Sequence, residues 1–183
     1  MNLPNQLTLL RILMVPVFLV VLSLRLPLGD YIAAGVFVLA ACTDGLDGYF
    51  ARKQKQITSL GKLLDPLADK LLISAALIAL VELDRLSGWV AVVIIGREFA
   101  VTGLRSLAVA EGVVIAANKL GKIKTITQVV AIVAMFLRDF PFNLLNIPFG
   151  NIAMAVAVVF TVWSGMDYFQ RAGFLLQAGK DGK

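Results

Sequence analysis

The sequence predicts an all-α integral membrane protein of six transmembrane helices with both termini in the cytoplasm. Three observations lead there. The mean hydropathy is +0.86, and 59% of the 183 residues are hydrophobic, far above a soluble domain. The apolar residues gather into six segments, each near the roughly 20 residues that a bilayer demands. The charge is lopsided. Of 17 Lys and Arg, ten fall on the side of the 2–3 and 4–5 connections and the C-terminus: Arg52, Lys53, Lys55, Lys62, Lys119, Lys122, Lys124, Arg171, Lys180 and Lys183. Only Arg25, Arg85 and Arg138 fall on the other side, and in short loops such a bias marks the cytoplasmic face.

The elements follow in order. Segment 1, 7–27, is read as retained rather than as a signal peptide. It lacks a basic stretch before it and a clear cleavage site after it, and Arg11 interrupts its start. Pro16 is expected to kink it. Segment 2, 31–52, is apolar only to residue 42 and reaches spanning length when extended to Arg52, which places Asp44 and Asp47 in its cytoplasmic third. Segment 3, 62–83, mirrors it, with Ser59 as N-cap, Pro66 near the tolerant first turn, and Asp65 and Asp69 in the cytoplasmic third. Segment 4, 88–110, carries Arg97, Glu98 and Arg105; segment 5, 120–138, opens on Lys122 and Lys124; segment 6, 148–169, ends near Asp167, a helix-end or interfacial charge. Trp89 and Trp163 read as interface anchors. These segments fill one domain, 1–183, with no internal repeat.

Composition also excludes chemistries. There is no histidine and a single cysteine, Cys42, so an intramolecular disulfide, a thiolate metal cluster and a histidine base are ruled out. Cys42 is expected as a small buried filler. Nucleic acid is the weaker reading of the net charge of +5, because the basic residues are spread over membrane loops.

The stretch TDGLDGYFARKQKQITSLGKLLDPLADK, from Thr43 to Lys70, holds four acids at the edge of lipid. The short link between segments 2 and 3 makes them antiparallel neighbours, with both acidic pairs at similar depth. Asp44 and Asp47 are i,i+3, and Asp65 and Asp69 are i,i+4, so each pair shares one helix face. If those faces oppose, four carboxylates converge. They would repel one another and resist desolvation, since even one acid at mid-membrane costs roughly 3 kcal/mol. Two divalent cations would cancel that charge, and oxygen-only donors point to Mg2+ or Mn2+ rather than zinc. Gly48 and Gly61 remove bulk beside the acids, so a large ligand or its phosphates can approach the backbone; close helix packing is the alternative use of both. Arg52 completes the stripe 44–48–52 and can face a phosphate.

These residues carry a resemblance. D-x2-D-G-x2-A-R-x8-G-x3-D-x3-D is filled without departure by Asp44, Asp47, Gly48, Ala51, Arg52, Gly61, Asp65 and Asp69. This is similar to the signature of the CDP-alcohol phosphotransferases, six-helix membrane enzymes. The resemblance implies attack of a hydroxyl on the β-phosphorus of a CDP-linked lipid, with CMP leaving. It implies Asp44, Asp47 and Asp65 as the main metal ligands. Asp69 becomes the general base and a possible further ligand, and Gly48, Arg52, Thr58 and Gly61 lie against the cytidine diphosphate. CDP-diacylglycerol is the expected donor, and the site faces the cytoplasm from the cell membrane.

The acceptor is read from IIGREFAVTGLRS and NKLGKIKTITQ. Arg97, Glu98 and Arg105 lie at spacings of seven and eight, on roughly one side of segment 4. Arg97 and Arg105, with Lys122 and Lys124 from segment 5, suit a phosphate dianion that an uncharged acceptor would not require. An intramembrane ion pair between Arg97 and Glu98 is the alternative. Together with the opening NLPNQLTLLRI, these stretches resemble the family members whose acceptor is sn-glycerol 3-phosphate. In that opening Asn5, Thr8 and Arg11 form a polar stripe that faces the nucleotide, unless Arg11 snorkels to headgroups. Rival readings are a family member with another acceptor (inositol phosphate, phosphatidylglycerol or serine) and, remotely, a cation transporter. Membrane lipids surround the chain on any of these readings, and apolar outer faces allow a homodimer.

Overall fold

The computed structural model describes the backbone of residues 3–54, 59–110, 112 and 119–181, and the side chains of 6–43, 67–110, 112 and 120–173. The described chain is all-α, with α1 (Leu3–Ser23), α2 (Gly29–Gln54), α3 (Ser59–Glu82), α4 (Gly88–Ala110), α5 (Lys119–Phe136) and α6 (Phe149–Asp181), and a 3-10 turn at Phe142–Leu145. Each helix overlaps one apolar segment of the sequence. The ends differ for local reasons. Helix α1 stops at Ser23, because the chain turns at Arg25 with φ 46°, and a left-handed residue ends a helix. Helix α3 starts at Ser59 itself, so Ser59 is its first residue rather than a cap ahead of it. Pro66 consequently lies beyond the first turn, where its missing N–H removes one intrahelical bond. Helix α6 meets no breaker and runs on to Asp181.

Helix α3 lies at the centre, against α1, α2, α4 and α5; α1 also packs along α2, and α6 along α5 and α4. The interior is built largely from small residues, among them Ala33, Ala40, Ala68, Ala76, Ala91, Ala131 and Ala157. Small side chains let helices approach closely where lipid gives no hydrophobic drive to associate. The larger buried groups form one cluster. The Phe18 ring meets Phe136 edge-on at 5.4 Å and Phe37 at 6.2 Å, within the favourable range for aromatic pairs. Large apolar side chains instead point outward from every helix, for example Val20, Leu39, Ile78, Val92, Ile126 and Val159. Among the described residues, two helical stretches, Gln6–Ser23 and Phe149–Gly173, are long and apolar enough to cross a membrane. Trp89 and Trp163 are both exposed.

Cys42 is exposed rather than buried. The inward face of α2 runs through Ala33, Phe37 and Ala40, and a residue two beyond Ala40 lies on the far side of the helix.

One end of the bundle is tied by charge. Asp30, at the start of α2, accepts from Arg85 at 2.6 Å and from Arg138 at 2.9 Å, so one carboxylate joins the α3–α4 and α5–α6 connections. Nearby, the Gly150 amide donates to Asp139 Oδ1 at 2.6 Å. A Cβ at position 150 would sit 2.7 Å from that oxygen and 2.9 Å from Met135 Cγ, so only glycine fits the approach.

Candidate functional site

The signature acids occupy facing helices. Asp44 and Asp47 lie in α2 and Asp65 and Asp69 in α3, and the two helices pack together. The side chain of Asp69 is described; those of Asp44, Asp47, Gly48, Arg52, Gly61 and Asp65, and of Asn5, lie outside the described residues, as does Thr58 entirely. Among the described residues no three His, Cys, Asp or Glu side chains gather. The donor chemistry nevertheless fits a hard divalent cation. The signature supplies four carboxylates, and the one described, Asp69, keeps 44% of its side chain exposed. All-oxygen donors of this kind are the ordinary ligands of Mg2+ and Mn2+.

Asp69 has a partner that the sequence did not disclose. Thr8, Arg11, Val15 and Phe18 are all buried, at helical spacings that form the inward stripe of α1. Arg11 is wholly buried, so it does not snorkel to headgroups. A guanidinium inside a bundle requires an anion, and Arg11 NH1 lies 2.6 Å from Asp69 Oδ1. The Arg11 Nε is 3.4 Å from Thr43 Oγ1, and that hydroxyl donates to the Ala40 carbonyl at 2.6 Å.

A second polar cluster lies between α4, α5 and α6. Glu98 Oε1 accepts from Arg97 NH1 at 3.2 Å and also from Lys124 Nζ. The Arg97 NH2 group donates to Ser164 Oγ at 2.8 Å, and its guanidinium carbon lies 5.8 Å from the Tyr168 ring centroid. Gly165 makes room for this reach, since a Cβ there would stand 3.1 Å from Arg97 Cγ. Beneath, Gln128 Nε2 donates to Thr161 Oγ1 at 2.9 Å. The ion pair weighed as the alternative for Arg97 and Glu98 is therefore present, and Lys124 joins it.

The expected acceptor group is only partly assembled. Arg97 and Lys124 come together through Glu98, whereas Arg105 and Lys122 are exposed. Lys122 is two residues from Lys124, which turns it to the other side of α5. Asp167 is not a helix-end charge, because α6 runs on past it to Asp181; it pairs with Arg171 one turn along the same helix at 3.0 Å. Sequence reasoning passed over Lys70 and Ser164. Lys70, next to Asp69 on α3, interacts electrostatically with Asp69 of the first cluster and with Glu98 and Lys124 of the second. Its signal was available: it follows Asp69 directly and is a charge inside an apolar segment, which by default marks function.

An all-helical bundle with paired acids on adjacent helices and buried cations beside them defines a class. Residues 1–163 match the CDP-alcohol phosphatidyltransferase family, and the chain belongs to that family. It is 49% identical over 182 residues to the CDP-diacylglycerol–glycerol-3-phosphate 3-phosphatidyltransferase of Bacillus subtilis (strain 168), covering 93% of this chain and 94% of the relative. The enzyme of the same name from Rickettsia felis is 36% identical over 170 residues, covering 92% and 94%. That from Sodalis glossinidius is 36% identical over 177 residues, covering 94% and 95%.

Proposed function

We propose that the chain transfers a phosphatidyl group from CDP-diacylglycerol to sn-glycerol 3-phosphate, forming phosphatidylglycerophosphate and CMP. The family and the relatives' names support the donor and the reaction. One structural observation carries the acceptor. Arg97 and Lys124 converge on a single oxygen of Glu98 inside the bundle. Two cations sharing one carboxylate keep a net positive charge of one, and Lys70 adds to it. A phosphate gains from that field, and an uncharged alcohol does not.

In this reading the acceptor phosphate lies by Arg97, Lys124 and Arg105, and Lys122, turned to the other side of α5, is not among its contacts. Its free primary hydroxyl is turned to Asp69, which takes the proton. The hydroxyl oxygen bonds to the β-phosphorus, and the bond from that phosphorus to CMP breaks. Asn5, Thr8, Gly48, Arg52, Thr58 and Gly61 hold the donor's cytidine diphosphate. Asp44, Asp47, Asp65 and Asp69 would hold Mg2+ or Mn2+, which neutralises the diphosphate and makes CMP a better leaving group. The chain is a single domain of six spans, with both termini and the site on the cytoplasmic face of the cell membrane, as its basic loops favour.

The test is an acceptor panel. Purified protein receives labelled CDP-diacylglycerol with sn-glycerol 3-phosphate, glycerol, inositol phosphate, phosphatidylglycerol or serine, and CMP release is followed. sn-Glycerol 3-phosphate should exceed every other acceptor at least tenfold. Equal use of glycerol removes the phosphate pocket. No CMP with any acceptor removes the transferase reading in favour of a transporter.

A further inference from the structure

Arg11 stands on a helix that contributes none of the signature acids, yet its side chain reaches both halves of the signature. Its NH1 holds Asp69 Oδ1 on α3 at 2.6 Å, and its Nε lies 3.4 Å from the hydroxyl of Thr43, the residue before Asp44 on α2. The pair is asymmetric: the Arg11 side chain is 0% exposed and that of Asp69 is 44% exposed. Packing alone does not account for such a pair, because apolar residues of similar volume often fill the space as well or better. A free aspartate on a helix samples several χ1 and χ2 orientations. A planar guanidinium fixed where α1 packs against α2 and α3 narrows that choice, holding Oδ1 from the buried side of a carboxylate that stays 44% exposed.

We propose that Arg11 is a positioning residue for the transfer: it orients the Asp69 carboxylate toward the acceptor hydroxyl and, through Thr43, keeps α2 in register with α3. This rests on the reading of Asp69 as the group that takes the hydroxyl proton. Arg11 does not touch donor or acceptor in this account, so its loss acts on the rate and not on substrate capture. Lysine at the position would keep a charge for Asp69 but, having no second nitrogen, would lose the reach to Thr43.

The test compares Arg11→Gln, Arg11→Lys, Asp69→Asn and the double variant Arg11→Gln/Asp69→Asn, in purified protein. The measurements are kcat and KM for each substrate, equilibrium binding of CDP-diacylglycerol and thermal unfolding. Arg11→Gln should lower kcat about 100-fold, with donor affinity and both KM values within about threefold of wild type. Arg11→Lys should recover about tenfold of that loss. In the Asp69→Asn background, Arg11→Gln should cost less than threefold more, since no carboxylate remains to be oriented; that non-additivity is what a purely structural buried arginine does not produce. The proposal is overturned by a wild-type kcat in Arg11→Gln, by a full 100-fold further loss in the double variant, or by collapse of donor affinity. If Arg11→Gln does not fold, Arg11→Lys decides: a tenfold kcat loss at unchanged donor affinity supports positioning, and wild-type kcat overturns it. Near-normal turnover in Asp69→Asn defeats the reading of Asp69 and this proposal with it. An inactive Asp69→Asn beside a fully active Arg11→Gln defeats the proposal alone.

Discussion

Asp30 and Asp69 are both aspartates held by arginine at 2.6 Å, and they sit in different surroundings. Asp30 sits where helices end, and it is held twice. Arg85 and the 69% exposed Arg138 both reach it, so the acid is outnumbered and joins two connections. Asp69 sits along the central helix, with its arginine wholly buried and its own side chain 44% exposed. At the first site the cations surround the acid and leave it little access. At the second, the cation takes the buried side and the acid keeps the open one. The difference gives a criterion for separating an ion pair that only stabilises from one proposed to serve the reaction. Pairs that close loops need only satisfy each other, whereas a pair inside the bundle bears a desolvation cost that packing alone does not explain.

The largest test of this contrast is charge removal at the signature. Asp44→Asn, Asp47→Asn or Asp65→Asn should each lower turnover at least about 1000-fold while accumulation and thermal unfolding stay near wild type, because an amide keeps the shape of the side chain but not its charge. The measurement is CMP release across a range of Mg2+ and Mn2+. Near-normal turnover in any of the three removes that residue from the metal-binding set.

A smaller effect separates the two inner clusters. Arg105→Ala should raise the KM for sn-glycerol 3-phosphate about tenfold and leave that for CDP-diacylglycerol within about twofold, as loss of one charged phosphate contact would. Arg97→Ala should raise the same KM and also lower the unfolding temperature, because it strips partners from Glu98 and Ser164 as well. If either variant weakens the donor instead, the cations of α4 and α5 belong to the nucleotide side.

Much of this was legible in the residues. Hydropathy located all six helices, since lipid-length apolar runs are hard to mistake. Fixed spacing assigned the acid pairs to helix faces, because register along one helix is a local property. What failed was rotation and partner choice between helices. Arg97 and Arg105 are eight residues apart, and eight steps leave about 80° of rotation. Arg97 consequently turns inward and Arg105 stays exposed. The Arg11–Asp69 pair joins residues 58 apart in sequence, and Glu98 and Lys124 are 26 apart. No periodicity within a segment reports on which faces of α1, α3, α4 and α5 meet. Cys42 shows the same limit at one residue: its type favours burial, and its place on α2 decides against it.

The smallest effect belongs to the tied end. Burial opposes the charge of Asp30, but the hydrogen bonds and charges of Arg85 and Arg138 outweigh it and hold the carboxyl below its ordinary value of 3.8. A carboxyl depressed in the folded state stabilises fully above the unfolded value and loses that contribution as pH falls through the folded one. Asp30→Asn should therefore lower stability by about 1–3 kcal/mol near neutrality, since it strips the Arg85 side chain, only 19% exposed, of its carboxylate. The gap between wild type and variant should stay level as pH falls toward about 5 and close below 3.8. Arg138→Ala should cost less, about 0.5 kcal/mol, because its side chain is 69% exposed and water screens the pair. CMP release should be unchanged in both. Thermal unfolding in detergent across pH reads the first expectation and initial rates the second. A gap that widens in acid would mean that Asp30 is not the carboxylate being titrated. A loss of turnover at unchanged stability would carry the influence of this end through α3 to Asp69, and the contrast between the two aspartates would not stand.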